Sequence, residues 1–250
     1  IHKLKTNNKY SLLKNSNYID EDINIASDNE KTLEIIYNIL IRYKTISLSL
    51  LINKCRNIEK IVIPSSITYI ENNAFMNCHN LRKVIIPSTL TKIGKNAFRK
   101  CINLETVSIS PTLINLEYES YFENNAKSTD SINKICEFAF GDCTSLKYIT
   151  IPFKINTLDK GAFYNCSSLK NISLPYYLEK IDSYVFYGCK SLKVMKIPKF
   201  VYKIGSGTFE NCSSLSFVSI SSYIGTIPKR CFGNCKSLKN FSFPSSLTKI

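Results

Sequence analysis

The spacing of the cysteines is the feature that most constrains the fold of this chain. Eight of its ten cysteines form two series with an interval of 23 residues: Cys55, Cys78 and Cys101, then Cys143, Cys166, Cys189, Cys212 and Cys235. The step between the two series is 42 residues, which is one interval plus 19. A fixed period of this length is typical of a solenoid built from stacked repeats. We therefore expect about eight turns of 23 residues, with one insertion after the third.

Other positions repeat in the same register as the cysteines. In the turn that follows Cys78 they are Leu81, Val84, Ile86, Pro87, Leu90, Ile93 and the pair Ala97-Phe98. Apolar residues two apart predict a half-buried strand, and the proline ends it because it has no N–H to donate. The Ala-Phe segment predicts a short helical or irregular return arc. Since one turn cannot bury its own apolar face, the turns must stack, which places their strands in a parallel sheet.

The complete motif resembles that of a known repeat family. Asn77-Cys78-x-x-Leu81-x-x-Val84-x-Ile86-Pro87-x-x-Leu90-x-x-Ile93-Gly94-x-x-Ala97-Phe98 is similar to the BspA-like, Treponema-type leucine-rich repeat, over about residues 46–250. The resemblance implies an α/β leucine-rich-repeat solenoid with its parallel sheet on the concave face. It also implies a non-enzymatic module for surface adhesion or recognition, with an intracellular scaffold as the alternative. Local departures occur, such as Ser221 where most turns have proline.

Two segments lie outside the period. Residues 1–44 contain a capping-box pattern, Ser27-Asp28-Asn29-Glu30, followed by apolar residues on one helical face. We expect a helix near 28–43 that caps a solenoid spanning 45–250. An insertion near 112–131 carries mostly acidic charge and is either a loop on the binding side or a tolerated bulge. The chain starts at Ile1 rather than Met and stops at Ile250 within a repeat, so we expect a fragment of a longer protein.

The charge balance narrows the class of partner. There are 33 Lys and Arg against 19 Asp and Glu, a net charge of +14. Such an excess suits nucleic acid, an anionic membrane or an acidic protein or glycan, or it only keeps the stack soluble. The sequence contains no recognised nucleic-acid module and no apolar run of the ~20 residues that span a bilayer. We expect a monomer that binds an acidic protein at the cell surface, with the cytoplasm as the alternative location.

Candidate chemistry is sparse. Equivalent cysteines on stacked turns have parallel Cα–Cβ vectors about 4.8 Å apart, whereas a disulfide requires converging vectors at ~3.5–4.5 Å. Cys231 and Cys235 form a single pair, without the second pair that zinc sites use. We therefore expect buried free thiols and no metal, cofactor or catalytic residue. Asn165 and Asn211, each before a repeat cysteine, are interpreted as buried amides that bond the neighbouring turn. The outward sequons at Asn171 and Asn240 are the better glycosylation candidates.

The outward strand positions form the candidate binding face. Apolar and aromatic side chains on it, namely Val62, Ile85, Tyr148, Val194 and Phe217, are expected to be exposed and suit an interface. The nominated partner-binding residues are Lys83, Tyr148, Lys147, Lys170, Lys193, Val194, Phe217 and Lys239. A second basic row comprises Lys92, Lys134, Lys180, Lys203 and Lys249. Mutual repulsion within that row would be relieved by an anionic ligand. The alternative is that repeat duplication copied the lysines without any role in binding.

Overall fold

The structure, a computed structural model, describes residues 58–63, 65, 67–109, 133–220, 224–242 and 245–249. Three predictions concern residues outside these ranges: the N-terminal segment 1–44 with its helix near 28–43, the thiol of Cys55, and the insertion near 112–131. They stay predictions.

Each turn of the described chain contributes a longer strand and a two-residue strand. In chain order the strands are β1 (Lys60–Val62), β2 (Tyr69–Ile70), β3 (Lys83–Ile86), β4 (Lys92–Ile93), β5 (Thr106–Ile109), β6 (Lys134–Ile135), β7 (Tyr148–Thr150), β8 (Thr157–Leu158), β9 (Asn171–Ser173), β10 (Lys180–Ile181), β11 (Val194–Ile197), β12 (Lys203–Ile204), β13 (Phe217–Ile220) and β14 (Asn240–Ser242). Six turns therefore carry both strands, and β13 and β14 continue the first series. The sequence pattern predicted the longer strands and missed the short ones.

All of these strands pair in parallel, each with the equivalent strand of the adjacent turn. The longer strands form two sheets, with the orders β1-β3-β5-β7-β9 and β11-β13-β14, so this ladder is interrupted between β9 and β11. The short strands form one six-stranded sheet, β12-β10-β8-β6-β4-β2. The molecule is a parallel-strand β-solenoid of about six complete turns. Eight turns remain the expectation for the whole chain.

The return arcs are irregular rather than helical. Irregular arcs are one of the two alternatives that the sequence predicted. No helix is present among the described residues, so the α component of the α/β class stays a prediction. Within an arc, the amide of Cys78 donates to the Phe75 carbonyl at 3.2 Å, as in a tight turn. Every second amide of the arc, as at Asn73, Phe75 and Asn77, donates to the next turn instead; Phe75 donates to the Ala97 carbonyl at 2.6 Å. Stacking between turns thus uses N–H groups that an α-helix would need for its own i→i−4 hydrogen bonds.

Two residues in each arc adopt a left-handed backbone conformation, four positions apart. Asn73 and Asn77 have φ values of 60° and 62°, and Gly161 and Asn165 repeat them at 63° and 57°. Glycine and asparagine adopt this region at the least steric cost. The asparagine before the repeat cysteine is therefore explained by its backbone conformation, which the sequence interpretation overlooked.

That position also corrects the predicted buried amide. Asn77 and Asn234 are exposed, and Asn165 and Asn211 are half-buried. The predicted bond between turns does exist: Asn165 Nδ2 donates to Asp142 Oδ1 at 3.3 Å, and Asn234 Nδ2 to Asn211 Oδ1 at 2.8 Å. The amides therefore join neighbouring turns at the surface rather than in the core.

A column of phenylalanine rings forms the centre of the core. Successive rings lie 5.0–5.5 Å apart between centroids and within 9° of parallel. The fully buried members are Phe75, Phe98, Phe140, Phe163, Phe186 and Phe209. Because each ring stacks on the rings of the adjacent turns, the column fixes the spacing of the solenoid from the inside.

The repeat cysteines lie beside this column as free thiols. Eight of the nine described cysteines are buried and Cys235 is half-buried, which confirms the expected burial. Each repeat thiol from Cys101 onward also donates to the phenylalanine carbonyl of the previous turn, as Cys166 Sγ does to Phe140 O at 3.1 Å. Burial raises the pKa of these thiols, to about 11 at Cys235 and well above the ordinary value at Cys166. They are packing groups and hydrogen-bond donors held in the neutral form.

Candidate protein-binding face

The outward side chains of the longer strands, together with the residues just before those strands, form one surface, the strand face. In the register of the sheet, Tyr148 lies between Asn171 and Thr106, and Thr106 in turn lies between Tyr148 and Lys83. Val194 lies opposite Phe217. Lys147, Lys170, Lys193 and Lys239 each precede one of these strands. All of the nominated residues therefore lie on one surface, in two adjacent columns.

Exposure on this face differs from one turn to the next. Tyr148 is 49% exposed and Val194 39% exposed, as expected. Phe217, Val62 and Ile85 are only half-buried, so the prediction that they are exposed is wrong. In a parallel ladder the side chains of neighbouring strands stand about 4.8 Å apart and cover one another's flanks. The best-exposed apolar groups are thus Tyr148 and Val194.

Charge on the strand face is partly neutralised in the early turns. Glu105 accepts hydrogen bonds from Lys147 Nζ at 2.7 Å and from Arg82 Nη1 at 3.3 Å. The hydrogen bond from Lys147 holds the pKa of the Glu105 carboxyl below its ordinary value. Lys147, although nominated for partner binding, therefore already has an anionic partner.

The later turns carry uncompensated positive charge. Lys170, Lys193 and Lys239 are exposed, as is Lys83 in an earlier turn, and none of them forms an ion pair with another described residue. Lys170 and Lys193 follow one another in adjacent turns, beside the outward-facing Asn171 and Val194. Lys60 and Lys83, paired in register across β1 and β3, are likewise exposed and without an ion pair among the described residues, so the strands β9 and β11 differ by having the exposed Val194 beside their lysines.

The second basic row is a weaker candidate than the sequence indicated. Lys134 Nζ contacts Asp159 Oδ2 at 3.1 Å, and Lys180 Nζ contacts Asp182 Oδ2 at 2.8 Å. These hydrogen bonds raise the pKa of both lysines. The expectation of unrelieved repulsion is wrong at these two positions because aspartates of the return arcs neutralise them.

A cleft opens in the strand face where the ladder is interrupted. Its volume is about 450 Å³, and its lining includes Ile172 and Leu174 of turn five together with Val194 and Ile197 of turn six. Ile172 is half-buried, whereas Ile149 and Met195, at the same position in the adjacent turns, are only 6% and 0% exposed. The separation of β9 from β11 therefore exposes residues that are core in the neighbouring turns. No signal in the repeat pattern distinguishes this junction from the others.

An exposed aromatic group borders the cleft and was also missed by sequence reasoning. It consists of Tyr176, Tyr177 and Phe200, the corner cluster, whose ring centroids lie 4.9–5.3 Å from one another. Tyr176 is 61% exposed and lines the cleft. The available signal was aromatic residues one or two places after Pro175 and Pro198; of the other turns with this proline, only the one with Pro152 has an aromatic residue there, Phe153, and the rest have serine or threonine.

The described residues do not contain the features that define a metal site or a membrane-spanning helix. Among the residues that the structure describes, no group of three or more His, Cys, Asp and Glu could hold a metal ion. Those ranges also contain no helix with the length and apolar character that a membrane crossing requires.

Comparison with known proteins decides the family. The model of the BspA type leucine rich repeat region matches in six copies, over residues 44–132 and 133–250. The chain belongs to the BspA-type leucine-rich-repeat family. Proteins with such repeats are generally protein-interaction or adhesion modules rather than enzymes. A comparison with curated protein sequences found no match.

Solved structures of leucine-rich-repeat proteins share the fold of this chain. A leucine-rich repeat protein of T. pallidum is 24% identical with a TM-score of 0.54, and the match covers 76% of this chain and 72% of that one. A leucine-rich repeat protein of Bacteroides ovatus is 26% identical with a TM-score of 0.60, over 75% of this chain and 46% of that one. The chain therefore spans less than half the length of the second protein. These likenesses support the solenoid fold.

Proposed function

We propose that this BspA-type solenoid is a non-enzymatic recognition module that binds an acidic protein through the strand face, at the cell surface. The observation that carries the proposal is the coincidence of unpaired cations and exposed apolar groups around β9 and β11. Lys170 and Lys193 are exposed without an ion pair among the described residues, Lys193 beside the exposed Val194 and Lys170 one turn from Tyr148. Protein interfaces combine an apolar or aromatic centre with a polar rim in this way.

The charge distribution favours an acidic partner over a neutral one. The net charge of +14 steers anionic molecules toward the chain, and the unpaired lysines mark where contact would be most favourable. In the early turns, by contrast, Glu105 neutralises Lys147 and Arg82. We therefore place the centre of the interface in turns five to seven, over Lys170, Lys193, Val194 and Phe217, with Tyr148 of turn four at its edge. Lys83 and Lys239 lie at its two ends.

A matched pair of charge reversals tests the face. Lys170→Glu with Lys193→Glu alters the strand face, and Lys160→Glu with Lys229→Glu alters two exposed lysines of the return arcs. Each double variant lowers the net charge by four, from +14 to +10. Biolayer interferometry would measure the Kd of each variant for a panel of purified acidic plasma and matrix proteins at constant salt.

We expect at least one acidic protein to bind the natural chain and to bind the strand-face variant about tenfold or more weakly, which corresponds to ~1.4 kcal/mol. The return-arc variant should stay within about twofold of the natural chain, because its lysines are remote from the interface. Equal losses in both variants would reduce the effect to net charge and refute the choice of face. Absence of binding to every acidic protein would refute the acidic partner.

The surface location has its own test. Antibody labelling of intact, unpermeabilised cells should reach the full-length protein. Labelling that appears only after permeabilisation would instead support the alternative, an intracellular scaffold that uses the same face. The eight buried free thiols of the described residues do not separate the two, because buried thiols persist in either compartment.

A further inference from the structure

The cleft between β9 and β11 is an opening in an otherwise continuous parallel ladder. Its lining mixes outward side chains, such as Asn171 and Val194, with inward ones, such as Ile172 and Leu174. In an intact ladder these two sets lie on opposite faces of the sheet. Their presence in one cavity means that a ligand on the strand face can reach apolar groups at the level of the core.

The size of the cleft and its apolar floor suit a large apolar side chain. A volume of about 450 Å³ lies within the roughly 300–1,000 Å³ of typical ligand sites. Ile172, Leu174 and Ile197 provide the floor, and the exposed ring of Tyr176 stands at the rim. An inserted aromatic or branched aliphatic group would remove these surfaces from water, which is the main source of affinity at interface hot spots.

The charge around the cleft indicates which groups of the ligand would flank the inserted side chain. The lining contains two lysines, Lys196 and Lys199, and no Asp or Glu. Both are exposed, and neither forms an ion pair with a described residue. Lys170 and Lys193 lie beside the lining at the starts of β9 and β11. A bare hydrocarbon ligand would leave these cations without partners, whereas carboxylates on either side of the anchor would pair with them.

We propose that the cleft is the anchor site for an acidic polypeptide segment, which inserts one bulky apolar side chain and pairs its flanking carboxylates with Lys196 and Lys199. This inference deepens the proposed function and rests on it, since it assigns the most buried contact of the strand face. The corner cluster of Tyr176, Tyr177 and Phe200 extends the apolar rim in the direction of the return arc.

The absence of tryptophan from the chain allows a direct test. The probe is the peptide acetyl-Glu-Asp-Trp-Asp-Glu-amide, whose indole is then the only tryptophan fluorophore in the sample. Insertion into the cleft should shift its emission to the blue, and titration yields a Kd. A peptide with Ala in place of Trp, used as a competitor, should bind about tenfold or more weakly. A peptide with Lys in place of the acids should show no shift.

Three variants locate the site. Ser173→Tyr fills the cleft, and Val194→Asp places a negative charge on its wall. Ser108→Tyr is the matched control, because Ser108 occupies the outward position of Ser173 two turns earlier, within the continuous part of the ladder. The first two should each weaken the peptide about tenfold or more, and the control should stay within about twofold. Far-UV circular dichroism confirms that each variant is folded.

The outcomes separate this inference from the broader proposal. If Ser173→Tyr and Val194→Asp bind the peptide as the natural chain does, or if the indole emission never shifts, the anchor site is refuted. The strand face itself still stands if the Lys170 and Lys193 reversals weaken an acidic protein. If a sulfated glycan or anionic vesicles displace the peptide while no acidic protein does, the polypeptide occupant is wrong.

Discussion

Removing one ring from the phenylalanine column tests how the solenoid is held together. Phe163 is fully buried and stacks on Phe140 at 5.4 Å and on Phe186 at 5.5 Å. Loss of a fully buried phenylalanine side chain forfeits roughly 1.5–3 kcal/mol of transfer free energy. Two stacked contacts at about 0.5–1.5 kcal/mol each bring the expected loss to ~4 kcal/mol, within the range of about 3–5 kcal/mol for such truncations. The change tested is Phe163→Ala.

Phe232→Ala is the matched control near the end of the column. Phe232 is half-buried and has one stacked partner, Phe209, at 5.4 Å, with Phe241 at its edge. We expect it to cost about 2 kcal/mol, since half the burial and one stacked contact are lost. Urea unfolding followed by far-UV circular dichroism yields both free energies of unfolding. Equal costs, or a loss below roughly 2 kcal/mol at Phe163, would refute the column as the main source of stability.

Three further changes probe the spacing, the thiols and the charge of the strand face. In Gly205→Ala the new Cβ would clash with the backbone nitrogen of Ser183, so unfolding by urea should show a loss of about 1–3 kcal/mol. Gly225→Ala, whose new Cβ would have its nearest neighbour at 3.8 Å, should be nearly neutral. Burial raises the pKa of Cys231 from 9.0 to about 12, so its contribution to stability is complete below pH 9 and is lost as the pH rises above it. Cys231→Ala should therefore flatten the decline in the free energy of unfolding above pH 9 by about 1.4 kcal/mol per pH unit, and an unchanged slope would exclude that burial. Glu105→Gln releases Lys147 and Arg82 and should tighten binding of an acidic protein by about twofold to fivefold at low salt, as measured by interferometry; weaker binding would contradict the assigned polarity.

Much of this architecture follows from the repeat. The inward position of Val84 and the outward position of Lys83 follow from strand alternation, and their burial agrees with it. The repeat cysteines from Cys78 to Cys212 are buried for the same reason, because they recur with the apolar positions that only stacking can cover. The sequence left the arc open between helical and irregular, because a compact Ala-Phe arc is compatible with either until the amide partners in the next turn are known.

The features that escaped prediction depend on how particular turns pack. A repeat pattern assigns every copy of a position the same environment, so it cannot show that Ile172 is half-buried while Ile149 is buried. The backbone conformation of Asn165 was hidden because an amide that bonds its neighbour explained the residue equally well. Neutralisation of Lys134 depends on Asp159, which lies in a different turn. Local periodicity therefore predicts the strand face, and contacts between turns determine which part of it is free to bind.

The most direct test of the account is to map which lysines touch the partner. A zero-length carbodiimide cross-linker joins a lysine to a carboxylate in contact with it, and mass spectrometry then identifies the joined residues. With an acidic protein that binds the chain, we predict cross-links at Lys170, Lys193, Lys196 and Lys199. Cross-links confined to the return-arc lysines Lys160 and Lys229, or to Lys92 and Lys203 of the second basic row, would contradict binding through the strand face.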